Sequence, residues 1–427
     1  MYTGIDFGTS NCALGIWQEG KPQLVPLEGT SPYLPAAIYT PLSDPARTGQ
    51  SQGGQTLDDT LLSRDGILFG NTAMSHHYDR PGEGILAKSP KLFLGFPELR
   101  ASGVERFSKI VGLMLTHIKE TAEAQTGHRF HNVVLGRPVN FSSSGDEEAN
   151  RQGEQILRNG ATTAGFEKIS FLLEPIAAAL DFEAKLTHDV VALIVDSGGG
   201  TTDCTVATLG PSYRGSAQME ERILANSGTR AGGVDLDTSI ARRIVMPHFG
   251  EGTRLKNGEA IPNRFFSQAI AINEMKTMEK FYARNLNGFL ANPACPEKVN
   301  RLKRLHKHRQ GQQVVGHCEE AKIALSEVAE STIPLEFIEE GFGVPLNREG
   351  LHAVVEATLE KISGLISDVV EAAKAKPDLI YVTGGTAKSP LLMARIQSHF
   401  PDLKIVSGDN FGSVASGLVL HAHRMYG

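Results

Sequence analysis

Two aspartates in this sequence each end an apolar strand and precede a turn that is rich in glycine and hydroxyl side chains. Asp6 precedes residues 7–12 (FGTSNC), and Asp196 precedes residues 197–203 (SGGGTTD). Successive backbone N–H groups of such a turn can point into one concavity, which favours phosphate oxygens. Glycine is needed there because a Cβ atom would hold the phosphate away. Each turn is therefore a candidate phosphate-binding loop.

The same two turns also supply ligands for a metal ion. Asp6 and Asp196 would face each other as hard oxygen ligands, and Mg²⁺ needs only one or two carboxylates beside phosphate oxygens and its own water. Further hydrogen-bond donors are the hydroxyl groups of Thr9, Ser10, Thr201 and Thr202. One such turn alone could be a plain β-hairpin without a ligand. Two matched turns favour a site for phosphate and Mg²⁺, with the ion held by both aspartates through water.

The recurrence of this turn in each half of the chain is a weak internal repeat, and it predicts two similar lobes that face each other. Apolar strands alternate with helical segments, which is typical of an α/β protein. We predict strands at residues 133–135, 190–196, 204–209 and 379–382. We predict helices at residues 105–125, 145–165 and 349–374 and from Pro175, Pro390 and Phe411, a mostly helical region at 235–329, and a long loop at 41–65.

Composition limits the class of protein. The chain has 427 residues, of which 41% are hydrophobic and 21% charged, as expected for a globular protein of two or three units. Its formal net charge of −6 argues against a nucleic-acid binder at the level of the whole chain.

The four cysteines are too scattered for a disulfide framework: Cys12, Cys204, Cys295 and Cys318. No signal peptide precedes the first strand, and the longest apolar run, residues 190–195, could not cross a bilayer of ~30 Å. We expect a cytoplasmic protein.

Two further features are expected to be plain surface. Five basic side chains lie within residues 301–309, but no aromatic side chains are interleaved with them, so a solvated helix face is the better interpretation. The adjacent His76 and His77 lack a companion at a spacing that would suit a metal, and we expect both to be exposed.

Six stretches together resemble a known family. Residues 4–12 and 196–203 resemble the two phosphate loops of the actin-like ATPases, and most closely those of the nucleotide-binding domain of the Hsp70 family of DnaK-type chaperones. Residues 174–180 resemble the first connecting helix, and residues 232–237 resemble the loop that closes over the phosphates. Residues 319–326 resemble the helix that holds the ribose and adenine, and residues 382–390 resemble the adenosine motif. Within the family, the short, chaperone-like YegD-type branch is the most similar.

The resemblance implies the fold. It is the actin-like ATPase fold, with two lobes, each a mixed sheet flanked by helices, and an ATP cleft between them. We expect the first lobe at residues 1–187, closed by a helix at 411–427, and the second at 188–410, with an enlarged helical outer part at about 237–330. A β-rich peptide-binding domain is not expected, because residues 411–427 resemble the last helix of the ATPase fold.

The resemblance also implies catalytic roles. Lys91 matches the lysine that reaches the γ-phosphate and the attacking water, with Lys88 as a rival three residues away. Glu174 matches a carboxylate that orients this water, although an anion before Pro175 would also be stabilised by the helix N-terminus. The implied catalytic set is completed by Asp6, Asp196 and Thr201.

The implied nucleotide contacts are spread over the whole chain: Gly8, Thr9, Ser10, Asn11, Gly198, Gly199, Gly200, Thr201, Thr202, Gly232, Gly233, Glu319, Lys322, Ser326, Gly384, Gly385, Thr386, Lys388 and Asp409. By themselves, Glu319, Lys322 and Ser326 share one helical face and could be a surface ion pair. Lys388 stands where the family usually has an arginine against the adenine. Because lysine cannot stack as a plane, base affinity is expected to be weaker.

The function that follows is a Mg-dependent, ATP-binding and weakly ATP-hydrolysing chaperone-like protein. It would act as a nucleotide-controlled switch on a protein partner that docks on the lobes, and we expect no nucleic-acid, membrane or extended-peptide client. Two alternatives of the same fold stay open. One is a small-molecule kinase, which would need an aspartate base and a polar sugar pocket, and the other is a filament-forming or enzyme-reactivating ATPase.

Overall fold

The computed structural model describes residues 1–41, 66–80, 83–96, 99, 101–142, 146–214, 220–408 and 412–427. Nearly all of the predicted loop at residues 41–65, and the predicted nucleotide contact Asp409, lie outside these ranges.

The first lobe is built on a mixed sheet. Its strands are β1 Tyr2–Phe7, β2 Asn11–Gln18, β3 Lys21–Leu24, β4 Tyr33–Pro35, β8 Asn132–Arg137 and β9 Lys168–Leu173. Their order is β3-β2-β1-β8-β9, with β4 also paired to β2. β1 runs antiparallel to β2 and parallel to β8, so the turn after Asp6 joins the two central hairpin strands. A smaller sheet has the order β6-β5-β7 and consists of β5 Ala37–Pro41, β6 Leu68–Phe69 and β7 Gly84–Lys88.

The second lobe repeats this arrangement. Its strands are β10 Val190–Ser197, β11 Thr202–Leu209, β12 Ile223–Thr229, β15 Leu379–Thr383 and β16 Lys404–Ser407, in the order β12-β11-β10-β15-β16. β10 runs antiparallel to β11 and parallel to β15, as β1 does to β2 and β8. A separate hairpin pairs β13 Glu330–Pro334 with β14 Gly343–Asn347. The predicted α/β class and the two-lobed actin-like fold are confirmed.

Helices flank both sheets. They are α1 Gly70–Asp79, α2 Ala101–Thr126, α3 Glu147–Thr163, α4 Glu174–Glu183, α5 Gly233–Ile240, α6 Asn263–Ala269, α7 Met275–Tyr282, α8 Leu286–Phe289, α9 Pro296–Lys307, α10 Gly311–Ala324, α11 Arg348–Ala373, α12 Pro390–His399 and α13 Ser413–Tyr426. Side-chain caps explain where two of these helices begin. Asp146 accepts a hydrogen bond from Glu148 N at 2.9 Å before α3, and Asn347 accepts one from Gly350 N at 2.8 Å before α11. None of the helices in the described ranges is long and apolar enough to span a bilayer.

A hydrophobic cluster joins the two lobes beneath the cleft. It contains Ala177 of α4, Leu418 of α13, and Ile194 and Tyr381 of the second sheet, all essentially without exposed surface. The two helices cross backbone to backbone, because a Cβ atom on Gly417 would overlap the carbonyl oxygen of Ala177. This contact holds the floor of the cleft.

One expectation about the surface is wrong. His77 was expected to be exposed, but only 8% of its surface is accessible. It lies on the buried face of α1, with its ring 6.3 Å from that of Tyr39. Burial, followed by the positive charge of Arg309, lowers the pKa of His77 to about 4.

Candidate functional site

A cleft of about 690 Å³ lies between the two sheets, and both glycine turns line it. The turns touch across the cleft, because a Cβ atom on Gly199 would overlap Ser10 Oγ. A Cβ atom on Gly200 would likewise overlap the side chain of Leu92. Glycine at these positions therefore lets the second turn approach Ser10 and Leu92 closely. Turns of this kind can present backbone N–H groups to phosphate oxygens.

Two further loops are bonded to the second turn. Val234 N donates to Gly199 O at 2.7 Å, and Gly233 N donates to Gly198 O at 3.1 Å. The hydroxyl of Thr386 also donates to Gly198 O, at 2.7 Å. Three segments that are distant in the sequence thus form one wall. The helix α5 starts at this wall, where Asp235 accepts from Gly232 N at 2.9 Å.

Lys91 is the buried cation of the cleft. It lies in a 3-10 turn, Pro90–Phe93, with 4% of its side chain exposed, and its Nζ donates to Glu174 Oε1. Burial alone would lower the pKa of Lys91, but the negative charges of Glu174 and Asp6 raise that pKa above its ordinary value. Lys91 is therefore charged at neutral pH.

Carboxylates outnumber this cation. Asp196 and Asp203 are buried and face each other across β10 and β11, and the half-buried Asp6 lies at the end of β1. Loss of hydration and then the charge of Glu174 raise the pKa of Asp6 and Asp196 to about 8 each, and that of Asp203 to about 7. Like charges at directly opposite strand positions are unfavourable unless a cation compensates them.

This surplus of oxygen ligands suits a hard divalent cation such as Mg²⁺ beside a phosphate cradle. Asp6 and Asp196 both line the cleft, where they could reach such an ion through water. Within the described part of the chain, no three His, Cys, Asp or Glu side chains are grouped so as to hold a metal ion by themselves. A water-held ion stays a prediction.

The structure separates the two rival lysines. Lys88 Nζ lies 3.2 Å from Glu319 Oε2, which joins β7 of the first lobe to α10 of the second. The pKa of Glu319 is lowered, because the positive charges of Lys88 and Lys322 outweigh its burial. Lys91 thus lines the cleft, whereas Lys88 is not among its described lining residues and reaches it only through its partner Glu319.

Lys322 fixes the neighbouring part of the wall. Its Nζ lies 2.7 Å from Asp237 Oδ1 and 3.3 Å from Gly233 O. Burial raises the pKa of Asp237 to about 7, although Lys322 acts in the opposite direction. The ion pair ties α10 to α5.

The structure brings most of the predicted site residues to the cleft. Those that line it are Asp6, Gly8, Thr9, Ser10, Asn11, Lys91, Glu174, Asp196, Gly198, Gly199, Thr201, Gly233, Glu319, Lys322, Ser326, Gly384, Gly385, Thr386 and Lys388. Thr202 lies behind the wall instead, where its hydroxyl donates to Ala231 O at 2.7 Å. Gly200 and Gly232 also support the wall from behind, against Leu92 and the backbone of Gly198.

Several residues of the cleft were missed. Asp203 belongs to the second turn and accepts from Val139 N at 2.9 Å, and only its position opposite Asp196 reveals its part in the charge cluster. Ile323 lines the outer end, and 60% of its surface is exposed. It lies one helical turn after Glu319, which was the available signal. Tyr33 also lines the cleft, and no motif points to it.

Comparison with known proteins finds one family model, described as Hsp70 protein, which matches residues 100–273. The chain is 29% identical over 248 residues to the chaperone protein DnaK of Cenarchaeum symbiosum, covering 57% of this chain and 32% of that protein. It is 24% identical over 410 residues to DnaK of Endomicrobium trichonymphae, covering 93% and 53%, and 24% identical over 432 residues to DnaK of Elusimicrobium minutum, covering 98% and 57%. The chain thus spans between about a third and just over half of the length of these relatives.

Proposed function

We propose that this chain, which has the actin-like ATPase fold, is an Hsp70-type protein that binds Mg·ATP in the cleft between its lobes and hydrolyses it slowly. The proposal is supported by the Hsp70 model that matches residues 100–273 and by the similarity of most of the chain to DnaK chaperones. The observation that carries this proposal is the meeting of two glycine turns at a cluster of carboxylates that one lysine cannot neutralise. The Mg²⁺ of bound Mg·ATP would supply positive charge beside these carboxylates, and the ATP would supply the phosphoryl group that is transferred to water.

The chain's own groups then have distinct tasks. The backbone N–H groups of the turns would bind phosphate oxygens, and Asp6 and Asp196 would hold the ion through water. Lys91 would stabilise negative charge on the phosphoryl oxygens, because its ammonium is buried and already charged. Glu174, which holds Lys91 in place, would orient the attacking water. The hydroxyl of Thr201 would add a donor at the same floor.

At the outer end, we propose that Glu319, Lys322 and Ser326 contact the nucleoside and that Lys388 covers the base. The apolar side chain of Ile323 would pack against the same base. Since neither Lys388 nor Ile323 offers a planar group, affinity for the base should be weaker than with an arginine at position 388.

We further propose that hydrolysis loosens the contact between lobes and so switches a protein partner. The lobes are assigned to residues 1–187 with 411–427 and to 188–410. The enlarged outer part at about 237–330 is the proposed docking region, because it lies away from the floor of the cleft. A cytoplasmic location is supported by four cysteines that form no disulfide.

The test is unfolding with and without nucleotide. A ligand that binds only the native state at ~100 times its Kd adds ~2.7 kcal/mol to the free energy of unfolding. Saturating Mg·ATP or Mg·ADP should therefore raise the melting temperature, and phosphate release should be measurable with ATP. An unchanged melting temperature with both nucleotides would refute the assignment of the cleft.

A further inference from the structure

The basic run at residues 301–309 does not form one uniform solvated face. Arg301 has partners within the protein on one side of α9. It donates to both carboxylate oxygens of Glu339 at 3.0 Å, and its guanidinium carbon lies 3.9 Å from the ring centre of Phe342. Lys303 and Lys307 lie elsewhere on the helix, one turn apart. Among the described residues, neither of these lysines has a carboxylate partner.

The two lysines line a separate recess of about 460 Å³. It lies between the C-terminal half of α9, which also brings Arg304 to the wall, and the segment that leads into α8, which brings Arg284. Of these two arginines, Arg304 pairs with Glu339 at 3.9 Å. No acidic side chain is among the described residues of this wall. Like charges one helical turn apart repel each other, and a concave surface focuses their field, so the recess attracts anions.

The remaining wall is suited to oxygen-rich ligands. Asn285, Asn287 and Asn300 bring amide groups to the recess, and the amide of Asn285 is fixed because it accepts from Gly288 N at 3.3 Å. The Nε of Arg284 is buried, and no described residue bonds to it. Arg284 also lines the recess, and a planar guanidinium is suited to pair with the oxygens of phosphate groups.

We propose that this recess binds a small anion that carries several phosphate groups. Arg284, Lys303 and Lys307 have no carboxylate partner among the described residues, so they call for more than one negative charge. The volume falls in the usual range of small-molecule sites, roughly 300–1,000 Å³. Among the described residues of the wall, His306 is the one aromatic ring, and its Nε2 lies 3.0 Å from Phe281 O. These residues therefore form no platform on which successive bases could stack. The proposal is independent of the nucleotide cleft.

The experiment is calorimetric titration of the full chain with sodium tripolyphosphate. ADP saturates the cleft, and Mg²⁺ is kept in excess over all phosphate. The test variant combines Lys303→Gln with Lys307→Gln. The matched control combines Lys256→Gln with Lys298→Gln, which removes two positive charges from the same outer part, one of them from α9 itself, but outside the recess.

We expect the wild type to bind one tripolyphosphate. The dissociation constant should be at least tenfold higher for the test variant and within twofold of the wild-type value for the control. All three proteins should keep the same melting shift with Mg·ATP. Equal losses in both variants, or no binding to the wild type, would overturn the proposal. Hexaglutamate that binds the wild type more tightly than tripolyphosphate would overturn the assigned ligand class.

Discussion

At the scale of single residues, charge placement decides what each group can do. Lys88 and Lys91 are three residues apart in the sequence, yet Lys88 pairs with Glu319 across the lobes and Lys91 with Glu174 at the floor of the cleft. Only Lys91 lies among the carboxylates of the two turns. The choice between the two rivals therefore follows from their partners.

We expect Lys91→Ala to bind Mg·ADP but to lose hydrolysis by about a hundredfold or more, because a preorganised charge matters most where negative charge develops. Single-turnover phosphate release and nucleotide titration would measure the two effects separately. Lys88→Ala is the matched control and should hydrolyse at close to the normal rate under saturation. If Lys88→Ala were the inactive variant, the assignment of Lys91 would be wrong.

The raised pKa values of Asp6 and Asp196, about 8 each against an ordinary 3.8, predict a pH dependence without metal. Between pH ~4 and ~8 the folded protein holds protons that the unfolded chain has released, so the free energy of unfolding falls as pH rises through this window. Asp196→Asn removes one of these groups and should make the fall shallower. It should also weaken the effect of Mg²⁺ on nucleotide binding.

Urea unfolding of both proteins at pH 6, 7 and 8.5 without Mg²⁺ checks this expectation. A wild-type protein whose stability increases over the same interval would contradict it. Mg²⁺ together with ADP should reverse the loss at pH 8.5 in the wild type more than in Asp196→Asn.

At the scale of elements, close backbone approach determines where glycine is required. The turn between β10 and β11 touches the turn between β1 and β2 at Gly199, where a side chain would overlap Ser10. In contrast, Gly364 is exposed within α11, and a Cβ atom there would meet nothing within 4 Å. The two glycines therefore serve as a matched pair.

We expect Gly199→Ala to weaken Mg·ADP binding at least tenfold, which corresponds to ~1.4 kcal/mol, because the turns must separate to accommodate the methyl group. Gly364→Ala should leave binding unchanged and raise the free energy of unfolding by ~0.5–1 kcal/mol, since alanine costs less entropy than glycine in a helix. Nucleotide titration and urea unfolding of the two variants give both values. Normal binding by Gly199→Ala would show that the turn is not in contact with phosphate.

At the scale of the whole molecule, the second lobe has one continuous core that extends into its enlarged outer part. Phe265, Phe281 and Leu302 of that part are fully buried together with Leu193 and Val206 of the sheet. Removal of residues 254–309 would therefore expose the core instead of cleanly detaching a docking surface. Point variants of exposed residues are the appropriate way to map a partner.

We expect the 427-residue chain to bind extended apolar peptides no more tightly than millimolar and to show no acceleration of its ATPase by them. The strands in the described ranges belong to the two lobe sheets, the small β6-β5-β7 sheet and the β13-β14 hairpin, which pack into the lobes. Fluorescence anisotropy of labelled peptides, with and without ATP, measures this. Micromolar binding accompanied by faster hydrolysis would favour a peptide-binding chaperone function for this chain.

The position of the two glycine turns at the cleft could be predicted from the sequence alone. Each turn was identifiable because the aspartate, the glycines and the hydroxyl side chains follow one another directly in the sequence, at Asp6 and at Asp196. The helix predicted at 349–374 is Arg348–Ala373, and the one predicted at 105–125 is Ala101–Thr126, because apolar periodicity is also a local property.

Only the tertiary structure determined which charges meet. Lys91 and Glu174 are 83 positions apart, and Lys88 and Glu319 are 231 apart, so no local pattern distinguishes the two pairs. The burial of His77 against Tyr39 likewise depends on how α1 packs. The energies of buried charges depend on distance and hydration in three dimensions, and these follow from the packing of elements that the sequence places far apart.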